Sequence, residues 1–196
     1  FENAFRCSVD LLEAAPLLAD KVVEQAGGHP VTIVSPDFGG AKRAQRVQEL
    51  VAVRLGAPVE FAVLEKRRDN GEVSGDLIIG PVSGRHAVVV DDLISAGTTI
   101  LRAVQACRAA GALSVSAFAT HGVFAPGAER LLGPDGPDRL YVTDTLLPTR
   151  LTPPSGGATQ LVVLPASGLF AEALRRIGAG ESVVALREME RRPPAR

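Results

Sequence analysis

Two adjacent carboxylates, Asp91 and Asp92, stand just ahead of a run of small and hydroxyl-bearing residues: Ser95, Ala96, Gly97, Thr98 and Thr99. Before them come Val88, Val89 and Val90, consecutive β-branched residues that suit a central parallel strand buried on both faces. After them an apolar pattern of helical period runs over 100–110. A strand, a small-residue turn and a helix start make an anion site. Backbone N–H groups and the helix dipole converge on the turn, and Gly97 lets a phosphate approach the main chain. The hydroxyls of Ser95, Thr98 and Thr99 add donors. The two carboxylates repel phosphate and suit polyol hydroxyls or Mg2+ instead. Sugar hydroxyls beside a phosphate cradle indicate a sugar phosphate. The plainer alternative is an acidic pair at a strand end, with Thr98 capping a helix.

A second turn repeats this logic. In Ser35-Pro36-Asp37-Phe38-Gly39-Gly40, Asp37 can reach a metal, and Gly39 and Gly40 expose backbone N–H groups at a helix start. Arg43, one turn further, is placed to touch an anion there. A tight turn that merely caps a helix fits the same residues. A third cluster, Lys66-Arg67-Arg68, opens a polar stretch over 66–76 without periodicity, which is expected to be a flexible loop. Such cations serve either as a lid closing over phosphates or as a solvated surface.

The elements that must hold these residues follow from hydrophobic spacing. Helical patterns cover 10–26, 41–55, 100–110, 126–132, 169–177 and 182–189, and strand patterns cover 31–34, 59–64, 77–79, 86–90, 115–120, 140–143 and 160–164. The alternation predicts a doubly wound α/β fold with a mainly parallel sheet, one domain over 1–190 and a frayed tail at 191–196. Ligands then sit beyond the carboxyl ends of the strands, where Asp37, Lys66 and Asp91 are all expected.

Composition narrows the partners. With 46% hydrophobic and 22% charged residues and a net charge of −1, the 196-residue chain reads as an ordinary soluble protein with no case for nucleic acid or membrane surfaces. No apolar run approaches the about 18 residues of a membrane span. Cys7 and Cys107 lack metal-ligand spacing and His29, His86 and His121 are scattered, so reduced thiols, a cytoplasmic setting and no zinc site are expected. The chain opens on Phe1 with no signal-peptide pattern, and a longer parent protein is expected.

The run at 91–99 resembles the ribose-phosphate loop of the phosphoribosyl pyrophosphate family, which holds phosphoribosyltransferases and a synthetase, ribose-phosphate pyrophosphokinase. Other segments resemble the synthetase: Ser35-Pro-Asp-Phe-Gly-Gly40 its pyrophosphate loop, Lys66-Arg67-Arg68 its catalytic flexible loop, and Leu77-Ile-Ile-Gly-Pro-Val-Ser-Gly-Arg85 the stretch after it. So do Ala119-Thr-His-Gly-Val-Phe124, Thr143-Asp-Thr145, Ser167-Gly-Leu-Phe-Ala-Glu-Ala-Leu-Arg-Arg176 and Gly180-Glu-Ser182. The resemblance runs over about 5–186 and covers the C-terminal half of that family's subunit. It implies the type I phosphoribosyltransferase fold and transfer of pyrophosphate from Mg-ATP to ribose 5-phosphate. Asp91, Asp92 and residues 95–99 would hold ribose 5-phosphate, Asp37, Phe38, Gly39 and Gly40 the pyrophosphate, and Asp37 the Mg2+. Lys66 and Arg68 would be catalytic. ATP contacts would come from the other half, and the intact protein would be a homo-oligomer. Ser95 stands where the synthetase usually has Asp, and Ser-Ala-Gly-Thr is nearer the transferase pattern. A phosphoribosyltransferase and a non-catalytic, synthetase-associated homologue are therefore the alternatives.

Overall fold

The valine run at 88–90 lies between two cores, as its two-sided apolarity requires: Val88 and Val90 pack in one and Val89 in the other. In the computed structural model, residues 4–7, 9–69, 72–147, 151 and 158–186 are described, with backbone alone at 66–69 and 72–75. The elements in chain order are α1 (Ala15–Ala26), β1 (Val31–Ser35), α2 (Ala41–Leu55), β2 (Glu60–Asp69), β3 (Glu72–Ile79), β4 (His86–Ile94), α3 (Thr98–Ala109), β5 (Ser114–Gly122), β6 (Arg139–Thr143), β7 (Gln160–Leu164) and α4 (Ser167–Ala179). Short 3-10 turns occupy Ala128–Leu132 and Val184–Leu186. The strands form a seven-stranded sheet in the order β3-β2-β1-β4-β5-β6-β7. Every pairing is parallel except β2 with β3.

Helices cover both faces. Leu18, Val22, Val47, Leu50 and Val51 of α1 and α2 pack on Ile33, Val88, Val90, Phe118 and Tyr141. Ile100, Leu101, Val104 and Cys107 of α3 pack with Leu131 and Leu132 on Val34, Val89, Ala117 and Ala119. This is the doubly wound, mainly parallel α/β architecture expected from the alternating pattern. The sheet order reverses between β1 and β4, which makes the gap at their carboxyl ends the topological switch point. At the opposite end Arg85 donates from Nε to the Thr32 hydroxyl at 2.9 Å and from Nη2 to the Val31 carbonyl at 3.1 Å. Thr32 in turn donates to the Pro81 carbonyl at 2.6 Å. These bonds satisfy a fully buried threonine and tie β1 to the connection before β4.

β1 stops early. Pro36 has no N–H to give a ladder, and the Ser35 hydroxyl turns to the Asp37 carbonyl at 2.6 Å. Its neighbours continue without it. β4 runs on against β5 through Asp91↔Ala119 to Ile94↔Gly122, and β2 runs on against β3 to Asp69↔Glu72. With strands about 4.8 Å apart, the two extensions border a notch one strand wide, about 10 Å across.

Several elements differ from the sequence expectation. α1 begins at Ala15, with Pro16 in its first turn, rather than at residue 10; the fixed φ of proline favours that start. The strand at 86–90 extends to Ile94, so the acidic pair lies within it. The polar stretch at 66–76 is not a loop where its backbone is described: it belongs to the β2–β3 hairpin, with a register shift at Arg67/Arg68. A two-stranded arm is held by backbone bonds and needs no apolar periodicity. Its root is pinned by Arg102 of α3, which pairs with Asp76 through Nε at 2.8 Å and through Nη2. The helix expected at 182–189 is the single turn Val184–Leu186, and residues beyond 186, including the tail at 191–196, lie outside the described residues.

The central packing is open to test at Phe118, which is fully buried and stacked on Tyr141 with ring centroids 4.3 Å apart. Phe118→Ala is expected to cost about 3–5 kcal/mol, read by urea unfolding. A cost below about 1 kcal/mol would contradict a close-packed core there.

Candidate functional site

The notch brings together Asp37, the acidic pair and the 95–99 run. A cavity of about 460 Å³ is lined by Asp37, Asp91, Asp92 and the stretch from Leu93 to Ile100. Asp37, in the turn that follows β1, lines one side, and the end of β4 with the loop into α3 lines the other.

In the first wall, the Gly40 amide donates to Asp37 Oδ1 at 2.8 Å. The side chain therefore caps the turn, as the plainer reading of these residues allowed, while also lining the cavity. Gly40 has an ordinary helical φ of −83. Space is tight here: a Cβ would meet Ser35 Oγ at 3.1 Å and Arg43 Nη1 at 3.3 Å. Phe38 is 60% exposed and presents its ring outward at the turn.

In the second wall, Ser95, Ala96, Thr98 and Thr99 are exposed and Gly97 is buried. Gly97 is the N-cap of α3, with φ +78 and no side-chain cap. The expected alternative, Thr98 as a cap, is not what closes this helix, so its first N–H groups point at the loop with no side chain over them. A Cβ on Gly97 would lie 2.6 Å from Leu131 Cδ1. Behind the loop, the amides of Phe124 and Ala125 donate to the carbonyls of Ile94 and Ser95 at 3.0 and 3.2 Å. The loop is thus pressed on buried Leu131 and tied to buried Phe124, itself at the unusual φ of +48.

Beside this cavity lies a contact the sequence did not reveal. Arg43 of α2 reaches past the end of β1 and donates from Nη1 to Asp91 at 3.0 Å and from Nη2 to Asp92 at 2.7 Å. The pKa of Asp91 is pushed up from 3.8 to about 6. Burial is the largest cause; the Asp92 amide opposes it, the neighbouring Asp92 carboxylate adds to it, and Arg43 opposes it.

A second cavity, about 450 Å³, opens on the other side of the pair and is lined by Lys42, Arg43, Arg46, Asp92, Thr120 and His121 among others. His121 Nδ1 lies 2.8 Å from the Thr145 hydroxyl, which is 2.7 Å from the Thr143 hydroxyl. Only the segments Ala119–Phe124 and Thr143–Thr145 hinted at this set, through resemblance. The side chains of Lys66 and Arg68 lie outside the described residues; their backbone belongs to the β2 extension bordering the notch, opposite Asp76 and Val73. Among the described residues, no three His, Cys, Asp or Glu side chains come together as a metal cage, and no helix is long and apolar enough to cross a membrane.

Comparison with known proteins adds a family. The phosphoribosyl synthetase-associated domain matches residues 64–187. The ribose-phosphate pyrophosphokinase of Pasteurella multocida is 36% identical over 94% of this chain and 56% of its own length. That of Granulibacter bethesdensis is 37% identical over 94% of this chain and 57% of its own. The crystal structure of phosphoribosylpyrophosphate synthetase from Mycobacterium smegmatis superposes with a TM-score of 0.73 at 28% identity, over 91% of this chain and 55% of that one. The chain spans about half the length of the relatives it matches.

The raised pKa of Asp91 has a stability consequence with a definite sign. Between about pH 6 and 4 the folded chain holds a proton on Asp91 that the unfolded chain has released, so lowering the pH through that window stabilises the fold. Asp91→Asn carries no such charge. The wild type should therefore gain roughly 1–3 kcal/mol on the variant between pH 7.5 and 4.5. Urea unfolding of both chains at the two pH values reads this directly, and an unchanged difference would mean that Asp91 titrates as an exposed carboxylate.

Proposed function

The chain belongs to the phosphoribosyl synthetase-associated domain family, and on that premise we propose that it is the ribose-phosphate-binding part of a ribose-phosphate diphosphokinase. The reaction proposed is transfer of the pyrophosphoryl group of Mg-ATP to the anomeric hydroxyl of ribose 5-phosphate, giving phosphoribosyl pyrophosphate and AMP. One observation supports this best: a carboxylate pair, an uncapped helix start and the Asp37 turn share one cavity.

Each residue then has a task. Asp91 and Asp92 accept hydrogen bonds from the ribose hydroxyls. The amides and hydroxyls of residues 95–99 hold the 5-phosphate at the start of α3, where the helix dipole favours an anion. The turn bearing Asp37, Phe38, Gly39 and Gly40 seats the pyrophosphate. Lys66 and Arg68 belong to the β2 extension that borders the notch; Lys66 would neutralise charge developing on the transferred group, and Arg68 would contact its oxygens or the ribose phosphate. Holding both partners in line supplies much of the rate of such transfers.

The donors available suit Mg2+. It is usually held by one or two carboxylates together with substrate phosphates and waters, rather than by a closed protein cage. Asp37 offers one hard oxygen ligand beside the phosphate seat, and the described residues form no cage. When bound, Mg2+ would neutralise charge on the phosphate oxygens. A phosphoribosyltransferase is favoured by one feature, Ser95 in the position where the synthetase usually carries Asp, and base-dependent consumption of phosphoribosyl pyrophosphate would identify it.

Calorimetric titration tests the binding half of the proposal. The 196-residue chain should bind ribose 5-phosphate, and Asp91→Asn should weaken that binding roughly 10- to 150-fold, the value of a charge-assisted hydrogen bond. Unchanged affinity would make the acids structural. The chain alone should release AMP at well under the roughly 1 s⁻¹ ordinary for an enzyme, because the ATP contacts are proposed to lie elsewhere.

A further prediction concerns Lys66. In the complete enzyme, Lys66→Ala should lower kcat by about 10²–10³, typical for loss of one donor to developing charge, with little change in either KM. A preserved kcat with a raised KM for ribose 5-phosphate would move Lys66 into the ground-state cradle. No change in either would make the run at 66–68 a solvated surface.

A further inference from the structure

Arg43 touches both walls of the notch. Its two terminal nitrogens hold Asp91 and Asp92. The same Nη1 lies against the other wall, 3.3 Å from the point where a Cβ on Gly40 would stand, while Asp37 Oδ1 is 3.6 Å from that point. The guanidinium thus already rests beside Gly40, at the end of the 37–40 turn.

One of the carboxylate oxygens it holds, Asp91 Oδ1, is already fully committed. Asp91 Oδ1 accepts both Arg43 Nη1 and the Asp92 amide. Asp92 gives Oδ2 to Arg43 and Oδ1 to the Leu93 amide. A carboxylate oxygen accepts about two good hydrogen bonds, so a sugar hydroxyl reaching Asp91 Oδ1 competes directly with Arg43. A planar guanidinium fork fits phosphate as well as carboxylate. The side chain is 37% exposed, so its head is within reach of solvent and of an incoming anion.

We propose that Arg43 is an exchange residue: it leaves Asp91 and Asp92 for a phosphate or pyrophosphate group seated on the 37–40 turn, and so releases both carboxylates to the sugar hydroxyls. The inference rests on the ribose-phosphate reading above and adds to it a coupling between the two ligands. The anion on one wall prepares the other wall for the sugar. Arg43 acts here as a positioning residue, through the carboxylates it frees.

Ribose 5-phosphate is titrated calorimetrically into the full chain at pH 8, with and without saturating inorganic pyrophosphate. Wild type, Arg43→Ala and Gly40→Ala are compared. In the wild type, pyrophosphate should tighten ribose 5-phosphate binding at least about fivefold, the lower end of typical coupling. Arg43→Ala should bind ribose 5-phosphate alone about two- to fivefold more tightly than wild type, since a partly exposed ion pair contributes up to about that factor. Pyrophosphate should then change its affinity by less than about twofold. Gly40→Ala keeps the arginine charge but places a methyl group 3.3 Å from Nη1, and should move both numbers in the same direction. Coupling that survives in Arg43→Ala overturns the exchange, and so does its absence in a wild type that binds both ligands. If ribose 5-phosphate fails to bind the wild type at all, the ribose-phosphate reading falls and the exchange falls with it; the silence of all three chains distinguishes that result.

Discussion

The end of β1 after Ser35 is the constraint on which the rest of the site depends. Proline at position 36 cannot donate to a neighbouring strand, and the buried Ser35 hydroxyl is spent on the Asp37 carbonyl. Had β1 continued, its backbone would fill the gap between the extensions of β2 and β4 and pair with both. Because it stops, the chain turns at 37–40 into α2 and leaves a one-strand notch at the point where the sheet order reverses. Asp91 and Asp92 then stand on a strand that has a partner on only one side. Their exposure to a cavity is a consequence of strand pairing, not of a loop.

That arrangement carries an electrostatic cost, and Arg43 offsets part of it. Two adjacent carboxylates at a sheet end disfavour each other, and one of them, Asp91, is only 17% exposed and short of water. A cation from α2 lies within 3.0 Å of each, yet burial still leaves Asp91 well above the ordinary carboxylate range. Local neutrality is therefore incomplete. A group that must later exchange partners is better left in this state than locked in a deeply buried pair, whose breakage is strongly destabilising.

Much of this was legible in the sequence, for reasons that can be named. The valine run at 88–90 announced a strand between two cores because it lacks any polar face. Ser95, Ala96 and Gly97 announced a loop, since small residues ending on glycine suit a turn into a helix, although α3 takes in Thr98 and Thr99. The notch was not legible. It needs two strands to outlast a third, and the stretch at 66–76 has no apolar alternation to mark it as an arm, since its pairing is carried by the backbone. Arg43 was visible as a cation near a turn, but its partners lie 48 and 49 positions away, beyond any local pattern. His121 and Thr145 meet across 24 positions for the same reason.

The 95–99 loop and the β2–β3 arm, which border the notch from opposite sides, differ in how firmly they are held, and that difference bears on which of them can move. The 95–99 loop has no side-chain cap of its own and takes its shape from the core: Gly97 sits where any Cβ would strike Leu131, and the Phe124 and Ala125 amides hold the Ile94 and Ser95 carbonyls. Moving it would disturb buried residues on the α3 side of the sheet. The opposite border is the β2–β3 arm, whose described anchor is the Asp76–Arg102 pair at its root and whose outer strands have only each other. A two-stranded ribbon is marginally stable by itself, so the arm can bend where the loop cannot. Under the proposed function, a fixed loop facing a more weakly held arm with Lys66 and Arg68 in its sequence is the division that would place one group accurately and close upon another. It follows from which strand ends are packed against core and which are not.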